Sequence, residues 1–196
     1  MATLNEKIDA FETHVLTRQL RIGEILGDKF IANQTDDELS QSAFVILGIG
    51  VAYFEMIAQF ASGQDSKGKS QDFFETGFKK VYCKSSVSVN GSDIYTFIRC
   101  GMFHTGMPTD RCGLSRNPKQ TFTIDNRVLI INPACLITDL KRHLEQYCKE
   151  LRNPDNSFDS LRQNFEKTFD RIASKAPTTS YGQTDATGPP YVIGSK

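Results

Sequence analysis

The stretch that most restricts the fold is AFVILGIGVAYF at 43–54, which stays apolar to about 61. It is apolar most of the way round a helical wheel, the signature of a helix surrounded by others at the centre of a bundle. Its uninterrupted apolar run falls short of the ~18 residues a membrane span needs. Thr35-Asp-Asp-Glu38 ahead of it matches a capping box, in which the Thr hydroxyl takes an orphan N–H and Glu38 reaches back. Gly63 suits the other end.

The other segments are read against this helix. Leu4, Ile8, Phe11, Val15, Leu16 and Ile22 recur at helical spacing over 4–25. Ser70 is placed to cap a third helix, about 71–84, with Phe73, Phe74, Phe78, Val81 and Tyr82 as its buried set. Asn90-Gly91 makes a turn and Ser92 caps a fourth helix, about 93–105. The period then changes. Thr121–Ile124 and Arg127–Ile131 alternate like two short strands around Asp125-Asn126. Asn132-Pro133 is a cap followed by proline at the first helical position, opening a helix to about 152; a last helix covers about 157–174 beyond Pro154. The predicted fold class is all-α: a helical bundle over 1–175 with a β-hairpin inserted at about 121–131. The segment 176–196, rich in Thr, Gly and Pro without apolar period, reads as a flexible or loosely docked tail.

With 23 basic and 23 acidic side chains the net charge is zero, which argues against strong nonspecific binding to nucleic acid. The charges are unevenly placed. Residues 1–60 hold 4 Lys/Arg and 9 Asp/Glu, whereas 67–116 hold 8 and 4. The basic excess surrounds IRCGMFHTGM at 98–107, either as a mixed solvated surface or as a local phosphate-binding patch. The N-terminus lacks the basic and apolar regions of a secretory signal. The five cysteines are scattered without a CxxC pair. Both features predict free thiols in a reducing cytoplasm, with no membrane association.

Several chemistries find little support. Cys100-x3-His104 is a single pair where structural zinc needs four ligands, so no metal and no cofactor are expected. Cys100 and His104, four apart, share a helix face where a histidine can activate a thiol, but buried helical cysteines are commonly inert. No GxxxxGK[ST], GxGxxG or HExxH occurs. Arg99 and His104 remain. On a regular helix they stand about 140° apart, and on spacing alone they read as a surface arginine and a histidine favoured by the helix C-terminal dipole, since Arg-x4-His is a pattern that chance supplies often.

YTFIRCGMFHTG on a late helix, followed by a hairpin and the NPACLITDL helix start, resembles the HEPN domain family over roughly 35–152. Arg99-Cys-Gly-Met-Phe-His104 fits the family's Arg-x4–6-His motif, and the stretch is similar to an uncharacterised bacterial branch with an RCGxxH signature. The resemblance implies a HEPN-like bundle and a cytoplasmic, metal-independent endoribonuclease or ribonuclease-derived toxin or phage-defence protein. It also implies a homodimer whose two motifs face one cleft. Arg99 then binds the scissile phosphate and His104 moves a proton, with Arg111, Arg116, Lys79, Lys80 and Lys84 along the RNA backbone. A nucleotidyltransferase-type antitoxin is an implied partner. Cys100 stands where active members carry Asn or Asp. That departure keeps open a second reading: a non-catalytic module binding a nucleotide, an RNA or a protein.

Overall fold

Ile8, Phe11 and Val15 line the buried face of α1 (Leu4–Val15), and Thr3 and Glu6 close a capping box at its start. In the computed structural model, which describes residues 2–32, 42–82, 89–108, 111–116 and 120–175, the helical path does not end near 25. It runs through a π-helical turn (Leu16–Leu20) into α2 (Arg21–Ala32). Gly23 and Gly27, which ordinarily weaken a helix, lie within it. Both are buried against α7 (Pro133–Arg152), where a Cβ at 23 would meet Ile137 at 2.6 Å and one at 27 would meet Ala134 at 3.2 Å. The close approach that glycine permits outweighs its low helix propensity. The proposed cap Thr35–Glu38 lies outside the described residues.

The apolar stretch is α3 (Ser42–Ser62), and Gly63 ends it with φ +69°. Ile46, Leu47, Phe54 and Ile57 are wholly buried. Each such side chain contributes roughly 1.5–3 kcal/mol of transfer free energy. By length and composition α3 is apolar enough to cross a bilayer, but 56% of its most apolar window is buried inside the protein. It packs on α2, on α4 (Ser70–Tyr82), on α7 and on α8 (Asp159–Ala173). It is the helix around which the others are laid. Phe54 meets Phe74, Phe78 and Tyr82 of α4 with ring centroids 5.2–6.2 Å apart. Phe60 meets Phe11 and Phe165 at 4.5 and 5.5 Å.

Helix starts differ from their predicted caps in two places. Ser70 is the first residue of α4, and its hydroxyl donates to the Glu55 carboxylate instead of capping. Asn90, not Ser92, caps the fourth helix by accepting from the Asp93 N–H. That helix is α5 (Gly91–Ile94), a π-helical segment (Tyr95–Cys100) and α6 (Gly101–Thr105), ended by Gly106 at φ +76°.

The hairpin is present with its turn shifted by one residue. β2 (Phe122–Asp125) and β3 (Val128–Ile131) pair antiparallel, and Asn126 and Arg127 both have positive φ, 48° and 67°. That is the backbone of a type I′ turn, whose twist matches the strands. A third strand, β1 (Cys112–Leu114), joins β3 in parallel and was not predicted; three residues carry no readable period. Phe122, Leu129 and Ile131 bind the sheet to the helical core. Asn132 caps α7 by accepting from the Ala134 and Cys135 N–H groups, and Pro133 occupies the first turn, as predicted. Among the described residues helix predominates, so the architecture is all-α with a small sheet as an insert.

Candidate functional site

The motif helix lies against the outer side of α3, and an open cleft of about 240 Å³ separates them. On the α3 side it is lined by Val51, Ala52, Glu55, Met56 and Gln59. The motif helix supplies Arg99 and Phe103. These two are four residues apart, about 40° round a helix, and so share one stripe. His104, one position on, turns away from that stripe by about 100°. It is exposed in the last turn of α6 and does not line the cleft.

Arg99 is held on three sides. Its guanidinium stands 5.4 Å from the centroid of Tyr95 and 5.1 Å from that of Phe103, one helical turn before and after it. Cation–π contacts of this kind orient a guanidinium while leaving its N–H edges free to donate. Nη2 is 3.6 Å from Oε2 of Glu55, and a quarter of the Arg99 side chain is exposed. Glu55 is fixed in turn: Ser66 donates to Oε1 and Ser70 to Oε2, both at 2.6 Å. Each carboxylate oxygen therefore accepts one serine hydroxyl, and these two hydrogen bonds fix the carboxylate beside Arg99.

The other residues marked in the sequence do not gather here. Arg116 donates from Nε to the Phe30 carbonyl at 3.0 Å and lies over the Phe30 ring, which ties the segment after β1 to α2. Arg111 is exposed at the entry to β1, where its carbonyl accepts the Leu129 N–H. Lys79 and Lys80 are exposed on α4; Lys80 is close enough to His143 to disfavour its protonation and is not on the cleft wall. Lys84 lies outside the described residues. Cys100 is half-buried beside Arg99 and carries a free thiol.

Set against known protein families, curated proteins and solved structures, the chain matches none of them. The site therefore rests on its own geometry. Among the described residues, no three His, Cys, Asp or Glu side chains converge into a metal-sized cluster. Glu55, Gln59 and Phe103 escaped the sequence reading. Glu55 is the one charged residue between 43 and 61, and a lone carboxylate on an apolar helix is a signal available in the sequence.

A second polar group lies inside the bundle. The Tyr53 hydroxyl is 2.9 Å from Nδ1 of His143, whose ring stacks on Tyr147 at 6.5 Å. Burial drives the His143 pKa down to about 4, so the imidazole is neutral there at physiological pH. The group joins α3 to α7, and Tyr53, His143 and Tyr147 are not among the residues lining the cleft of the motif helix.

Proposed function

We propose that this chain is a HEPN-like, metal-independent endoribonuclease, or a defence protein derived from one, acting at the motif helix. The observation that supports it is Arg99: a guanidinium oriented by two aromatic rings at the wall of an open cleft, with an exposed histidine five residues on. Five residues advance a helix by about 7.5 Å. Because His104 is turned out of the cleft stripe, a sugar–phosphate chain meets both groups only by wrapping from the cleft round the exposed last turn of the motif helix.

In the proposed reaction the RNA 2′-oxygen attacks phosphorus, the P–O5′ bond breaks, and a 2′,3′-cyclic phosphate and a free 5′-hydroxyl result. Arg99 stabilises the extra charge on the phosphoryl oxygens. His104 takes the 2′-OH proton or supplies one to the departing 5′-oxygen. The nucleophile is internal to RNA, so DNA is inert by this route. Cleavage of RNA in EDTA is expected, and Arg99→Ala or His104→Ala each lower it by roughly 10²–10³-fold with the fold intact. Equal cleavage by wild type and both variants would overturn the proposal.

A second reading is a binding module of the same fold without catalysis. The Glu55–Arg99 pair favours it, because an incoming phosphate must compete with a carboxylate already held by two serines. Cys100 favours it too, since a thiol directly after the arginine orients the site only weakly. RNA binding that weakens with salt, without cleavage, is the outcome that selects this reading.

A further inference from the structure

We infer that the cleft beside Arg99 is a subsite for one nucleobase of the bound RNA, with Phe103 as its stacking platform and Gln59 at its edge. The inference rests on RNA being the ligand of the motif helix. Phe103 is 59% exposed, unusual for a phenylalanine in a protein with this much core to fill, and its ring lines the cleft. One side of the ring is occupied by the Arg99 guanidinium. Val51, Ala52 and Met56 give the facing wall an apolar surface that suits the flat face of a base.

The polar group on that wall is Gln59. Its Oε1 accepts from Arg171 of α8 at 3.4 Å, and its backbone carbonyl accepts from Thr168 at 3.1 Å. Among the described residues its Nε2 has no partner, which leaves an amide donor at the cleft edge for a ring nitrogen or carbonyl of the base. Glu55 differs from Gln59 in offering acceptors only, and these are directed at Ser66, Ser70 and Arg99. At about 240 Å³ the cleft is smaller than the ~300–1,000 Å³ of sites that enclose whole drug-sized ligands, and it suits one planar ring with its sugar and phosphate outside. The phosphate of that nucleotide then falls beside the Arg99 guanidinium, 5.1 Å from the stacking ring. Stacking on aromatic side chains is the general way single-stranded RNA is held.

Four short RNAs that differ only in the base flanking the scissile phosphate test the inference. Wild type is expected to cut them at unequal rates. Phe103→Ala raises KM about ten- to a hundredfold with kcat little changed, and Phe103→Tyr restores it. Gln59→Leu evens out the four rates. Unchanged KM in Phe103→Ala together with an unchanged base ranking in Gln59→Leu overturns the subsite while leaving Arg99-dependent cleavage standing. If wild type cleaves none of the four, the ribonuclease reading fails separately. The subsite is then judged by binding of a 2′-O-methyl trinucleotide with 2-aminopurine at its centre. Fluorescence quenching in wild type that is lost in Phe103→Ala supports the subsite; no quenching in wild type overturns it. Sedimentation of Phe103→Ala accompanies both assays, and a loss of binding that tracks a change in oligomeric state overturns it as well.

Discussion

Arg99 and His143 are two basic side chains held in different ways. Arg99 stands at a half-open wall between two rings and a carboxylate. His143 is half-buried against Tyr53, and burial holds its imidazole pKa down to about 4 against an ordinary 6.5. The unfolded chain takes up a proton on this residue as pH falls through about 6.5, whereas the folded chain resists until about 4. Its contribution to stability is thus complete above 6.5 and declines as the pH drops toward 4, by about 3 kcal/mol in all. Urea melts at pH 7 and 4.5 are expected to show wild type losing about 2–3 kcal/mol more than His143→Gln between the two. Equal losses in the two proteins would remove His143 from the account.

At the scale of elements, the tightest joint is the crossing of α3 and α4. A Cβ at Gly77 would lie 1.8 Å from the Phe54 carbonyl oxygen and 2.6 Å from its carbon. These are backbone atoms of the central helix and cannot swing aside as a side-chain tip does. Gly77→Ala is expected to force the helices apart, loosen the Phe54–Phe74–Phe78 ring cluster and destabilise the fold by about 3 kcal/mol or more. Thermal or denaturant melting measures it; a variant as stable as wild type would show that α4 shifts freely. The crossing matters for the site, because the motif helix rests on the same pair of helices. Ser70, at the start of α4, is also one of the two donors that fix Glu55. A displaced α4 is therefore felt at Arg99 through hydrogen bonds, without any change in the motif itself.

For the whole molecule the outer stripe of α3 is decisive. Val45 is 55% exposed and Ala52, seven residues on and on the same stripe, is exposed as well; Met107, just past the motif helix, is 64% exposed. Apolar side chains exposed along one stripe offer a contact surface, and the closed two-fold dimer is the commonest assembly of soluble oligomers. We propose a homodimer that covers the Val45 end of the stripe and leaves the Ala52–Gln59 end open as the cleft. Sedimentation at micromolar concentration is expected to show a dimer for wild type and a monomer for Val45→Glu, which keeps its fold because the side chain already faces outward. A monomeric wild type would end the proposal.

What could be read from the residues alone was whatever depends on neighbours in the chain. The apolar stretch became α3, Gly63 closed it and Asn132-Pro133 opened α7, because capping, turn chemistry and periodicity act over a few residues. The hairpin turn slipped by one position because Asp125 is taken into β2 opposite Val128, which leaves Asn126 and Arg127 to make the turn. The continuation to Ala32, the parallel strand Cys112–Leu114 and the role of Ser70 escaped because each is settled by a partner far away in sequence. The site divides in the same way. Arg99 and His104 stand out as residue types at a spacing, but only the packing of the motif helix on α3 turned Arg99 and Phe103 toward Glu55 and Gln59 and left His104 facing outward. Local rules specify helices and their ends; which stripe of a helix meets which wall is decided by burying apolar surface against every other element at once.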